Sequence, residues 1–168
     1  MRLKLRVLAA GDAMRILGLD VGDVLIGVAV SDPLRIVAQG LVSITRVVLK
    51  EDVEAVKRLV NQYEVGQIVV GLPRMMDGEI GIQAQKVLNF VESLRKEVKV
   101  PVVLWDERLT TVAASRILIE ADISRRKRKK VVDKVAAILI LQGYLDSHSQ
   151  RELCSGDTDK TPGRGTEN

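Results

Sequence analysis

The sequence predicts a single α/β domain built on a mixed sheet flanked by helices. Two observations carry this. The chain opens with closely spaced β-branched runs joined by a turn signal, then alternates helix-period and strand-like segments. Its 168 residues are 46% hydrophobic but only 2% aromatic, so the core that such a chain can bury must be aliphatic.

Residues 15–22 and 24–31 are apolar stretches separated by Gly22-Asp23, a turn pair that predicts an antiparallel hairpin. Residues 36–46 alternate loosely and form a candidate third strand, where Gly40 signals a bulge or close packing. Over 50–63 the apolar residues Val53, Val56, Leu59 and Val60 recur at helical spacing. Residues 67–71 form a short buried strand. Pro73 and Asp77-Gly78 mark residues 72–78 as a loop, with the Met75-Met76 pair read as its anchor.

A helix is expected over 81–98, with Ala84, Val87, Leu88, Val91 and Leu94 on one face, then a strand over 100–105 containing a core Trp105. Helices over 110–121 and 131–145 complete the fold; the second is apolar on most sides and so deeply packed. These boundaries give an extension at 1–14, one domain at 15–146 and a polar, disordered tail at 147–168. The extension is expected to be dispensable, because every feature of the domain begins after Met14.

The net charge is +4, from 26 basic and 22 acidic residues. Six of the basic residues are consecutive: Arg125, Arg126, Lys127, Arg128, Lys129 and Lys130. Without them the balance is 20 against 22, or −2, so attraction for polyanions is concentrated in that run. One cysteine, Cys154, excludes an internal disulfide and suits a reducing cytoplasm. No apolar stretch reaches membrane-spanning length, and the start is too broken for a secretion signal.

Asp20 is the most informative residue, since it lies within the apolar run 16–22. A carboxylate inside a strand costs several kcal/mol to bury unless its charge is compensated. Asp106-Glu107 closes a later strand, and Asp133 opens the last helix. Neighbouring strand residues point to opposite faces, so only one of Asp106 and Glu107 can enter a site shared with Asp20. Ala136 and Ala137, three and four residues after Asp133, let that helix approach the sheet closely. Carboxylates gathered this way repel one another unless a divalent cation joins them. His148, the sole histidine, lies beyond the expected last helix and is a poor candidate for a general base.

The motifs Leu19-Asp20-Val21-Gly22, Ile26-Gly27-Val28-Ala29-Val30-Ser31-Asp32, Val70-Gly71-Leu72-Pro73, Trp105-Asp106-Glu107-Arg108-Leu109-Thr110-Thr111 and Val132-Asp133-Lys134 resemble the YqgF/RuvX family. These are bacterial Holliday junction resolvases also described as pre-16S rRNA nucleases. The resemblance spans about residues 15–146. It implies a ribonuclease H-like fold with a mixed five-stranded sheet. It also implies an endonuclease using Mg²⁺ or Mn²⁺, held by Asp20, Glu107 and Asp133, which would be both metal-ligating and catalytic. Glu107 is thereby favoured over Asp106.

Nucleic acid, either an rRNA precursor or branched DNA, would be bound by Arg108, Arg125, Arg126, Lys127, Arg128, Lys129, Lys130 and Lys134. The expected role is 5′-end processing of pre-16S rRNA in ribosome biogenesis. Holliday junction resolution, or nucleic-acid binding without catalysis, stand as alternatives, and both monomer and homodimer remain open. A sugar-kinase or actin-like nucleotide-binding reading needs two large lobes, for which the chain is too short.

Three positions depart from the family pattern. Asp23-Val24-Leu25 stands where basic residues usually follow the first glycine. Arg74-Met75-Met76 replaces Leu-Asn-Met, and Ala113 replaces a common glutamate. The first departure predicts repulsion between Asp23 and a nearby phosphate.

Overall fold

The computed structural model describes residues 14–106 and 125–155, with side chains at 14–106 and 134–149. Strands β1 (Arg15–Val21), β2 (Leu25–Ser31) and β3 (Ala38–Thr45) precede helix α1 (Leu49–Gln62). Strand β4 (Val65–Leu72), helix α2 (Ile82–Glu97), strand β5 (Val102–Asp106) and helix α3 (Arg125–Ser155) follow.

The strands form one sheet in the order β3-β2-β1-β4-β5. β1–β2 and β2–β3 are antiparallel, while β1–β4 and β4–β5 are parallel. The hairpin predicted at Gly22-Asp23 is present, closed by the Gly22 amide donating to the Leu25 carbonyl at 2.9 Å. The bulge predicted near Gly40 is also present. Val28 pairs with Val42 and Ala29 with Gly40, which leaves Leu41 as the extra residue.

Strand alternation divides the core into two layers. Leu17, Leu19, Val21, Ile26, Val28, Ile68 and Val70 pack against Val53, Val56 and Val60 of α1 and Val87, Phe90 and Leu94 of α2. On the opposite face, Ile16, Ala29 and Val69 meet Ala137, Ile140, Leu141 and Tyr144 of α3. Trp105 packs on this second face, edge-on to Tyr144 with ring centroids 5.7 Å apart. β4 is buried on both faces, as expected of a central strand with parallel neighbours.

Gly18 lets α3 lie close to β1. A Cβ there would stand 2.7 Å from the Leu141 Cβ and 3.2 Å from the Ala137 carbonyl oxygen. Ala136 and Ala137 are both buried, as the sequence predicted.

Three expectations need correction. First, α3 begins at Arg125 and ends at Ser155, outside the expected 131–145. Residues 147–155, assigned to the tail, are therefore helical, and no glycine or proline interrupts the helix after Gly143; at its other end the arginines and lysines of 125–130 are good helix formers. Second, His148 is inside this helix, with its ring stacked on Tyr144 at 4.0 Å. Third, Met76 is 99% exposed and anchors nothing, while Met75 lies against Gly81. The helix expected over 110–121 and the segments 1–13 and 156–168 lie outside the described residues. Among the described residues no helix is long and apolar enough to cross a membrane.

Candidate active site

Asp20 is the penultimate residue of β1, paired across the sheet with Gly27 of β2. It is partly buried. Ile16 and Gly18 both meet α3, so alternation puts Asp20 on the same face, beyond Gly18 toward the strand's C-terminal end.

Asp106 ends β5 opposite Leu72. It continues the series of Val102 and Leu104, which pack on the α1 and α2 side, whereas Trp105 packs toward α3. Asp106 is therefore on the face opposite Asp20, and of this acidic pair it is not the one that can join it. Glu107 and Arg108 lie outside the described residues.

Position 133 falls within α3, one turn before Ala137, and the run 125–130 forms the first part of the same helix. Side chains are described on α3 only from Lys134, which is exposed. Among the described residues no three His, Cys, Asp or Glu side chains gather as a metal cluster. Asp20 is the only one of the three expected ligands with a described side chain. Its oxygen donors suit a hard cation such as Mg²⁺ or Mn²⁺.

The turn after Asp20 is held by side chains that the sequence reading did not single out. Arg46, just beyond β3, donates from Nη1 to the Gly22 carbonyl at 2.9 Å and from Nε to Asp52 Oδ2 at 2.9 Å. Asp52 is 2% exposed and also accepts from the Val47 amide at 3.1 Å. The Arg46 guanidinium lies 5.9 Å from the centroid of the Phe90 ring. From α2, Gln83 Nε2 reaches the Val21 carbonyl at 3.4 Å and Lys86 Nζ reaches Asp23 Oδ1 at 2.9 Å. The basic partner missing from the turn sequence is thus present in space, which removes the basis for expecting Asp23 to act as an uncompensated acid.

At the far end of β2, Asp32 Oδ1 accepts from the amides of Val37 at 2.9 Å and Ile36 at 2.7 Å. These bonds, Val37 foremost, hold its carboxyl below the ordinary value of 3.8.

The sequence profile described as RuvX, Holliday junction resolvase, matches residues 14–147. A protein of Thermoanaerobacter pseudethanolicus named "Putative pre-16S rRNA nuclease" is 59% identical over 139 residues, covering 82% of this chain and 100% of that one. A Clostridium novyi protein of the same name is 57% identical over 134 residues, covering 80% and 99%.

Among solved structures, Thermus thermophilus RuvC in complex with a Holliday junction substrate superposes with a TM-score of 0.54 at 14% identity, covering 82% of this chain and 96% of that one. Fowlpox virus resolvase with Holliday junction DNA gives 0.51 at 13%, covering 80% and 99%. The fold is that of the RuvC-like, ribonuclease H-like resolvases, with a mixed five-stranded sheet.

Proposed function

The chain belongs to the RuvX family of Holliday junction resolvases, and on that premise we propose that it is a divalent-metal-dependent endonuclease acting on the precursor of 16S rRNA. Phosphodiester cleavage follows from the family. The choice of RNA rests on the relatives that are more than half identical, since the resolvase structures are alike in fold alone. Junction DNA is the second reading, favoured by the family's description. Work in the cytoplasm is part of the proposal.

The observation that carries the metal site is the close contact at Gly18. The helix runs antiparallel to β1, because Ala137 and Leu141 lie over Gly18 while Tyr144 and Leu145 share a cluster with Ile16. Two residues along β1, from Gly18 to Asp20, cover about 6.6 Å. Four residues back along α3, from Ala137 to position 133, cover about 6 Å. The two displacements run in the same direction, which supports a position for residue 133 toward the Asp20 end of that face. Asp106 faces the other way, which supports Glu107 as the acid of that pair in the proposed set.

Asp20, Glu107 and Asp133 would hold two Mg²⁺ or Mn²⁺ ions, which supply activation of the attacking water and neutralise charge on the leaving oxygen. The chain's own part is placement. β1 fixes Asp20 within the sheet, and α3 carries Asp133 and the basic residues on one rigid element. Successive helical residues are rotated by about 100°, so the six positions 125–130 are distributed around the helix axis, and phosphate contacts from more than one side are part of the proposal. Arg108 and Lys134 would add to that contact. The chain could act as a monomer or as a homodimer.

The test is parallel cleavage of a pre-16S rRNA fragment and a four-way DNA junction, with and without Mn²⁺. Metal-dependent cutting of the RNA alone supports the first reading, and cutting of the junction alone supports the second. Binding without cutting of either would overturn the catalytic assignment.

A further inference from the structure

We propose that Lys86 is a ligand for a backbone phosphate of the nucleic acid, presented beside the β1–β2 turn by Asp23. The pair would restore from α2 the basic contact that the turn sequence lacks. The inference rests on the nuclease reading above and extends it to a residue outside the acidic set and the basic run.

Three features place the lysine. Its Nζ lies 2.9 Å from Asp23 Oδ1, three residues past Asp20 in the chain. Gln83, one helical turn before Lys86, reaches the Val21 carbonyl, so this face of α2 meets the turn twice. Arg46 holds the Gly22 carbonyl, and the Gly22 amide closes the hairpin, which fixes the turn further. The ammonium group is therefore held at the turn that follows Asp20 in the chain, on the α2 side of the sheet.

The chemistry suits a phosphate diester. An ammonium has three N–H donors, and one directed at Asp23 leaves two. The lysine and aspartate side chains are 50% and 60% exposed, so water and substrate both reach them. Exposed pairs of this kind contribute little to stability and exchange partners readily. The pair is neutral as a unit, so Asp23 orients the lysine without adding net negative charge at the turn. This reverses the role that the sequence alone assigns to Asp23.

The test is binding of a fluorescent pre-16S rRNA fragment and a four-way DNA junction to the full chain, without divalent metal so that nothing is cut, across a salt series. Losing one phosphate contact lowers the slope of log affinity against log salt by about 0.7–0.9, or about sixfold in affinity at 0.1 M salt. Lys86→Gln should show both losses and Lys86→Glu a larger one, while thermal melts match the wild type. The charge swap Asp23→Lys with Lys86→Glu should recover affinity to within about twofold of wild type, because it returns an ammonium to the same place. Unchanged affinity and slope in Lys86→Gln would overturn the inference, as would a swap that binds no better than Lys86→Glu. If the wild type binds neither nucleic acid, the nuclease reading fails first and takes this one with it.

Discussion

Replacing Gly18 by alanine should separate α3 from β1 and so test how the site is assembled. The new Cβ would lie 2.7 Å from the Leu141 Cβ, against an ordinary carbon–carbon contact of about 3.5–4.0 Å. Relief requires a movement of about 1 Å. Leu141 is fully buried, and the other obstruction is the Ala137 backbone carbonyl, so neither neighbour can simply swing aside. Overpacking of this kind costs about 1–3 kcal/mol. At a urea dependence of about 1–3 kcal/mol per molar, the unfolding midpoint should fall by roughly 1 M.

The sign is diagnostic. Where a glycine's backbone angles suit alanine and space is free, the same change stabilises by about 0.4–1 kcal/mol. Cleavage should fall further than stability, because a 1 Å misplacement of catalytic groups can cost about 100-fold. An unchanged or raised midpoint would refute the close-packing argument. A lowered midpoint with full cleavage would refute the claim that this contact sets Asp133 against Asp20.

Asp52→Ala should cost about 2–3 kcal/mol in urea unfolding, since it strips Arg46 and the Val47 amide of a buried acceptor; Arg46 remains about one-fifth exposed, which keeps the loss below that of a fully buried pair. Asp32 has a depressed folded-state value, so its contribution is present above the unfolded 3.8 and is lost as pH falls through the lower folded value. The stability difference between wild type and Asp32→Asn should therefore be constant near neutral pH and shrink below 3.8 in acid titrations followed by circular dichroism. Neutral replacements at Arg125, Arg126, Lys127, Arg128, Lys129 and Lys130 change the formal charge from +4 to −2 and should flatten the salt dependence of nucleic-acid binding; an unchanged slope would place the phosphates elsewhere.

The parts of the fold that could be read in advance are those fixed by neighbours in sequence. Gly22-Asp23 between β-branched runs marked the hairpin, Gly40 marked the bulge, and the spacing of Val53, Val56 and Val60 marked α1. The ends of α3 were missed because the hydrophobic period of the sequence stops at charged residues before 131 and polar ones after 145, while the helical backbone continues.

Contacts made by folding were equally hidden. Asp52 beside Glu51 looks like a solvated acid in a first helical turn, and only the return of Arg46 explains its burial. Asp23 and Lys86 are 63 residues apart, so a turn that looks acidic in the chain is neutral in space. Asp20 was legible because an acid inside an apolar strand is costly, and the structure adds the face on which it stands.

Asp20, Glu107 and Asp133 are proposed to hold divalent metal together. Calorimetric titration of Mn²⁺ into the full chain at neutral pH tests it without depending on a substrate. The wild type should take up Mn²⁺, and uptake should be lost or markedly weakened in Asp20→Asn, Glu107→Gln and Asp133→Asn alike, with thermal melts showing folded protein. Wild-type uptake retained in any one of the three would contradict it.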